Sequence, residues 1–162
     1  MIRDPRPPGD FAPAAPRPPG DFRLRPPVDP MRVTSSFGPR TDPLTGTVRA
    51  PHYGVDLAAK TGQLVRAAAD GAVERSYLSV GDPSKGLRAY GNRVVLFHGS
   101  GLRTEYCHLD CRMVEEGARL LAGEILGLAG STGASTGPHL HWGLTWNGDP
   151  LDPMAWLEER LP

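Results

Sequence analysis

Short apolar or β-branched runs, each interrupted by glycine, proline or asparagine, make up this chain from Met31 onward. This pattern is typical of a β-rich domain, because glycine, proline and asparagine end strands and form the turns between them. We therefore expect a mainly β fold, a compact antiparallel sheet or sandwich. The predicted strands cover residues 33–37, 54–57, 64–68, 72–78, 93–98, 103–108 and 139–145.

Two local signals refine this prediction. The connection between the predicted strands 93–98 and 103–108 is short and contains Gly99 and Gly101, which indicates an antiparallel hairpin. Helix is scarce, and the best candidate follows Asp152, which would cap it, with Pro153 at its first position and Glu159 near its end.

The first 30 residues differ in composition from the rest, since ten of the 18 prolines lie there. Such a segment favours extended polyproline conformations. The heptapeptide Pro-Arg-Pro-Pro-Gly-Asp-Phe occurs at residues 5–11 and again at residues 16–22. We predict an arm over residues 1–30 and one domain over residues 31–162. The arm is either a stiff linker or a docking segment that lies along its own domain or binds a protein partner.

Composition excludes several classes of function. The net charge is zero and the basic residues are scattered, which argues against nucleic-acid binding. No stretch approaches the roughly 18 apolar residues of a membrane span, and we expect neither a signal peptide nor a membrane anchor. Cys107 and Cys111 lie four residues apart and are compatible with a disulfide or with two reduced thiols.

Four of the five histidines lie in a pattern that favours a metal site. His139 and His141 share one face of a predicted strand, because side chains alternate along strands. His52 and Asp56 are four residues apart, an even spacing that places both on one face of an extended segment. Gly54 between them allows a second backbone to approach closely.

The fourth histidine, His108, ends a predicted strand, where we expect it to be exposed and to overhang a groove. Two histidines and one aspartate are a sufficient ligand set for a hydrolytic zinc ion, which keeps one coordination position open for water. Two histidines then remain for proton transfer. The glycine-rich residues 130–137 lead into a strand and lack a Gly-Lys-Ser/Thr ending, so nucleotide binding is a poor interpretation.

Several motifs together resemble the lysostaphin/LytM-type zinc endopeptidases of bacterial cell walls. The resemblance covers about residues 31–157, in the order and spacing of that family. The motifs that carry it are His52-Tyr53-Gly54-Val55-Asp56, Tyr90-Gly91-Asn92, Thr104-Glu105-Tyr106-Cys107-His108-Leu109, Gly127, Gly130-Ser131-Thr132-Gly133 and Ser135-Thr136-Gly137-Pro138-His139-Leu140-His141.

The resemblance implies a role for each site residue. One zinc ion would be held by His52, Asp56 and His141. His108 and His139 would orient and deprotonate the metal-bound water and steady the tetrahedral intermediate. The fold would carry a long substrate groove, and the substrate would be the peptide part of peptidoglycan, cut in its stem or cross-bridge outside the cytoplasm.

Three further residues are candidates for substrate binding. Asn92 follows the Tyr90-Gly91 turn. Arg40 begins a segment that is similar to a segment of the family. At the position of Asp42, members of the family commonly have histidine. Trp142 follows the last histidine and either lines the cleft or packs the last strand. Two alternative functions remain open: a non-catalytic wall-binding or hydrolase-activating module, and a component of a phage-like particle that the arm docks.

Overall fold

A ten-stranded antiparallel sheet, with a separate two-stranded sheet beside it, forms the body of the molecule. The computed structural model describes residues 22–41, 46–81 and 89–157. The strands are β1 Val33–Ser35, β2 Gly38–Thr41, β3 Val48–His52, β4 Val55–Ala58, β5 Leu64–Arg66, β6 Gly71–Ser79, β7 Gly91–Gly99, β8 Leu102–Arg112, β9 Arg119–Leu120, β10 Ile125–Ala129, β11 His139–Trp146 and β12 Asp149–Leu151.

The order of the main sheet is β1-β4-β11-β8-β7-β6-β9. Strand β10 pairs with both β5 and β8, β12 pairs with β11, and β2 and β3 form the smaller sheet. None of the helices in the part of the chain that the structure describes has the length and apolar character that crossing a bilayer requires. The mainly β, antiparallel prediction is confirmed.

The seven predicted strands all occur, with different bounds. The predicted strand over residues 33–37 is wrong as one element, because β1 ends at Ser35 and the chain turns before β2 begins at Gly38, whose φ is +108°. The predicted hairpin is confirmed: β7 and β8 pair antiparallel, and Gly99, Ser100 and Gly101 all have positive φ in the connection. Strands β2, β3, β9, β10 and β12 were not predicted.

The C-terminal helix is shorter than expected. It is a 3-10 helix over Pro153–Trp156, and Asp152 accepts a hydrogen bond from the Met154 amide at 3.0 Å, as the predicted cap. Leu157 is already extended and bridges to Leu24 in parallel. Backbone pairing with the arm therefore replaces the helix that local sequence favours; Glu159 lies outside the described residues.

The last residues of the predicted arm are part of the domain core. Leu24 is fully buried and Val28 is buried almost completely. The Leu24 amide donates to the Trp156 carbonyl at 2.7 Å, and the Phe22 ring centroid lies 5.5 Å from that of His98. This end of the predicted arm thus packs against the predicted domain, and the division at residue 30 stays a prediction from the sequence. Residues 1–21, with the first heptapeptide and most of the second, lie outside the described residues.

Truncation of Leu24 tests whether this arm segment contributes to stability. We expect Leu24→Ala to lower the free energy of unfolding by roughly 2–5 kcal/mol, since it removes a fully buried side chain and leaves a cavity. Leu78→Ala is the matched control, because Leu78 is 57% exposed. Urea unfolding measures both. Equal, small effects of the two substitutions would show that the arm does not support the core.

Candidate metal centre

A bend between two strands brings His52 and Asp56 to the same site. His52 ends β3, the chain bends at Tyr53 and Gly54, and Asp56 lies in β4. The expectation of one extended run across these residues is therefore wrong, although both side chains do meet. Asp56 is also the register partner of His141 in the antiparallel pair of β4 and β11. Three strands thus supply the three side chains.

Gly54 is required for this meeting. A Cβ at residue 54 would lie 2.7 Å from the Trp142 carbonyl oxygen and 2.8 Å from the His141 ring, both closer than real Cβ contacts. The inference that Gly54 allows a second backbone to approach is confirmed. The bend and β11 pack against each other only because this residue has no side chain.

Three ligand atoms converge between these side chains. His52 Nε2 lies 3.0 Å from His141 Nδ1 and 3.1 Å from Asp56 Oδ1, and His141 Nδ1 lies 3.0 Å from Asp56 Oδ1. Together they form a nearly equilateral triangle. In the described part of the chain, this is the group of three metal-ligand side chains that is compact enough to hold one ion.

The triangle fits zinc. Tetrahedral zinc with bonds of about 2.0–2.1 Å requires neighbouring ligand atoms to lie about 3.3–3.4 Å apart, close to the observed separations. His52 Nδ1 lies 2.9 Å from the Ser36 carbonyl oxygen, so Nδ1 carries the proton and Nε2 presents a lone pair to the triangle. Lone pairs that face one another at this distance are best satisfied by a cation.

The charge state of Asp56 supports a cation site. Burial by itself raises the pKa of its carboxyl group, but where protons and not a cation lie between these atoms, hydrogen bonds from His141 and His52 and the charges of both protonated rings outweigh it and hold the pKa well below its ordinary value. The other carboxylate oxygen, Oδ2, accepts from Arg40 Nη2 at 3.3 Å. Asp56 is therefore ionised across the physiological pH range and correctly charged to bind a metal.

His108 and His139 lie side by side next to the triangle, with ring centroids 4.8 Å apart. His108 Nδ1 donates to the Thr132 carbonyl at 2.7 Å, and His139 Nδ1 donates to the Gly137 carbonyl at 2.8 Å. Each ring therefore keeps an unprotonated Nε2, and His139 Nε2 lies 3.8 Å from Asp56 Oδ1. The glycine-rich loop holds both imidazoles in the tautomer that a general base needs.

The environment of His108 differs from our expectation. Strand β8 continues past His108 to Arg112, and His108 is only 6% exposed, so the predicted exposed strand end is wrong. Its φ of +61° and a register shift in the pairing of β7 with β8 mark a bulge that turns the ring toward the site. Burial, and then the charges of His139 and His141, lower its pKa, so His108 is neutral near pH 7.

Cys107 does not supply a competing nucleophile. Both cysteines are free thiols, which leaves no disulfide between Cys107 and Cys111. Cys107 is fully buried, and burial raises its pKa well above the ordinary value, so little thiolate forms at neutral pH.

A cavity of about 350 Å³ opens over these residues. Its walls come from β2, β3, β4, β8 and β11, together with the β3–β4 bend, the segment before β7 and the glycine-rich loop. The residues that line it are Arg40, Ala50, Pro51, His52, Tyr53, Asp56, Ala89, Tyr90, His108, Ala134, Thr136, His139 and His141. All five predicted metal and proton-transfer residues therefore face one cavity.

The three predicted substrate-binding residues lie in different places relative to the cavity. Arg40 lines the cavity and bonds to Ser35 Oγ at 2.8 Å as well as to Asp56. Asn92 is not among the described residues that line it. Asn92 Nδ2 donates to the carbonyls of Leu109 and Asp110 at 3.1 and 2.9 Å, which ties β7 to β8.

Trp142 is fully buried in the core, so the expectation that it contacts substrate is wrong. Alternation explains this position, because His141 faces the cavity and the next residue must face the opposite layer.

Sequence reasoning missed two charged residues behind the centre. Arg93 and Glu105 form a close ion pair, and Glu105 Oε1 lies 4.0 Å from His141 Nε2. Glu105 lies within one of the motifs and Arg93 directly follows another, but neither was given a role. The pairing of Glu105 with Gly143, two residues after His141, places Glu105 on the same face of the sheet as His141.

Comparison with known families and proteins identifies a strong similarity. The family described as Peptidase family M23 matches residues 50–153. The chain is 40% identical over 133 residues to the peptidoglycan DD-endopeptidase ShyC of Vibrio cholerae, a match that covers 82% of this chain and 29% of the relative. The chain thus spans less than a third of the length of the curated relatives that it matches first.

Solved structures show the same similarity. A zinc-containing peptidase from Vibrio cholerae superimposes with a TM-score of 0.71 at 36% identity, covering 87% of this chain and 41% of that one. The catalytic domain of lysostaphin from Staphylococcus simulans superimposes with a TM-score of 0.66 at 32% identity, covering 80% of this chain and 93% of that domain. The resemblance that the motifs indicated is confirmed.

Proposed function

Because the chain belongs to peptidase family M23, we propose that it is a zinc-dependent endopeptidase that hydrolyses an amide bond in the peptide stem or cross-bridge of bacterial peptidoglycan. The observation that carries the proposal is the triangle of His52 Nε2, Asp56 Oδ1 and His141 Nδ1, with edges of 3.0–3.1 Å. It supplies one ion with two imidazoles and one carboxylate.

One zinc ion bound by these residues supplies Lewis acidity, which polarises a carbonyl group and activates water at neutral pH. His52 is oriented by the Ser36 carbonyl, and Asp56 is oriented by Arg40. Such outer hydrogen bonds fix the direction of each ligand and keep the donor set ready for the ion.

His108 and His139 serve as the proton-transfer pair. Both are held by loop carbonyls through Nδ1, so each Nε2 is free to accept a proton from the attacking water and to return it to the leaving amine. The lowered pKa of His108 keeps that ring neutral at pH 7, as a general base must be. His108 is the base in this proposal, and His139 steadies the developing oxyanion once its Nε2 carries a proton.

The non-catalytic alternative is less well supported. A wall-binding module on this fold has no need of a ligand triangle or of two oriented imidazoles, and all five residues face one cavity here. We also propose that the enzyme acts on the wall outside the cytoplasm. Delivery by a phage-like particle and a protein partner for residues 1–30 remain predictions from the sequence.

Digestion of purified peptidoglycan by the full chain tests the proposed function. We expect release of fragments that carry new amine and carboxyl termini, identified by mass analysis, because an amide bond is cut. A chelator is expected to stop release, and added zinc is expected to restore it. Release that continues unchanged after complete metal removal would refute the zinc mechanism, and absence of any cut amide would refute the substrate.

A further inference from the structure

We propose that Glu105 is a positioning residue for His141, an inference that rests on the proposed zinc site. Its carboxylate holds the proton of His141 on Nε2 and thereby keeps the Nδ1 lone pair directed at the ion. Glu105 itself touches neither the ion nor the substrate.

The position of Glu105 follows from the pairing of β8 with β11. His141 is the register partner of Cys107, and Gly143 is the register partner of Glu105. A Cβ at residue 143 would lie 2.7 Å from Glu105 Oε1, so the side chain lies across Gly143. It thereby reaches His141, where Oε1 comes within 4.0 Å of Nε2.

The buried Nε2 of His141 has no other partner in the described part of the chain. The His141 side chain is only 6% exposed, and none of the described residues forms a hydrogen bond to Nε2. Gly54 lies close to the same nitrogen, since a Cβ at residue 54 would lie 2.8 Å from it. A buried N–H without a partner is costly, and the Glu105 carboxylate is the negative charge that faces it.

A second set of contacts holds Glu105 in place. Arg93 Nη2 donates to Glu105 Oε2, which leaves Oε1 for His141. Arg93 Nη1 donates to the Tyr77 hydroxyl at 2.9 Å, and the guanidinium carbon lies 5.2 Å from the centroid of the Tyr90 ring. Burial alone would lower the pKa of Arg93, but the charge of Glu105 outweighs it and raises the pKa. Arg93 therefore keeps its positive charge.

Such an arrangement has a recognised physical effect. A carboxylate behind a metal-binding imidazole selects one tautomer and makes the other nitrogen a stronger ligand. At 4.0 Å, Oε1 attracts the Nε2 proton through charge and not through a short hydrogen bond. The negative charge of Glu105, more than the shape of its side chain, then determines the effect on His141.

Zinc titration against a chromophoric chelator tests the inference without reference to activity. We expect Glu105→Gln to bind zinc about 10- to 100-fold more weakly than the unmodified chain. Glu74→Gln is the matched control, since Glu74 pairs with Arg103 in an exposed ion pair on the same face of the sheet, and we expect its affinity to be unchanged. Equal affinities of the two variants would overturn the inference.

A double variant separates positioning from damage to the fold. Glu105→Gln leaves Arg93 buried without its partner, whereas Arg93→Gln with Glu105→Gln removes both charges. We expect the double variant to stay weak for zinc, because the carboxylate is still absent. Recovery of affinity in the double variant would overturn the inference. If the unmodified chain itself binds no zinc in the same titration, the proposed function fails instead.

Discussion

Replacing His141 with alanine is expected to abolish zinc binding and peptidoglycan hydrolysis together. In the proposed zinc site His141 would contribute one of three ligand atoms, and the remaining two would be His52 Nε2 and Asp56 Oδ1, 3.1 Å apart. The loss of zinc affinity should exceed the roughly 10- to 100-fold that follows from losing an outer-shell partner. Elemental analysis of the dialysed protein and mass analysis of digested peptidoglycan measure the two effects.

His98→Gln is the control for the His141 variant, because His98 is a histidine away from the centre. Its ring nitrogens bond to the Asp70 carbonyl and the Thr104 hydroxyl at 2.7 Å each, and glutamine keeps a donor and an acceptor. We expect this control to retain zinc and activity. Full zinc occupancy in the His141 variant would show that the ligand assignment is wrong.

Replacing His108 with glutamine is expected to leave zinc bound and to reduce hydrolysis by about 10²- to 10⁴-fold, the usual contribution of a general base. Glutamine has a similar reach but does not accept and release a proton near pH 7. The measurement is the initial rate of fragment release, with zinc content determined on the same sample.

Comparison of the His141 and His108 variants distinguishes zinc binding from proton transfer. Loss of zinc in the His108 variant would instead place His108 among the ligands. Unchanged hydrolysis with zinc retained would leave His139 as the base. The two rings lie side by side, with centroids 4.8 Å apart, so His139→Gln under the same conditions distinguishes these roles directly.

Much of the fold was predictable from local sequence. The β-branched runs of β6, β7 and β8 predict strands, and Gly99 and Gly101 predict the hairpin, because both signals depend on backbone preferences within a few residues. The C-terminal helix is shorter than predicted because the backbone at Trp156 and Leu157 pairs with Leu24, which is more than 100 residues away in sequence. The helix propensity of a local segment contains no information about that pairing.

The chemistry of the site was also predictable from the sequence, but its geometry was not. The residue types at 52, 56, 108, 139 and 141 already indicated zinc and proton transfer, because few side chains can do either. The left-handed backbone of His108 and the bend at Gly54 depend on neighbouring strands. Tertiary contacts decide which nitrogen meets Asp56: the register of β4 with β11 places His141, and the Ser36 carbonyl orients His52.

The sequence alone determined the β-rich class, the family and the set of reactive side chains, because each depends on residue type and short spacing. Tertiary structure alone decided that Trp142 is core, that Asn92 ties two strands together and that Glu105 stands behind His141. The physical reason is that burial and charge contacts arise between segments far apart in the chain, and no local pattern records which strands become neighbours.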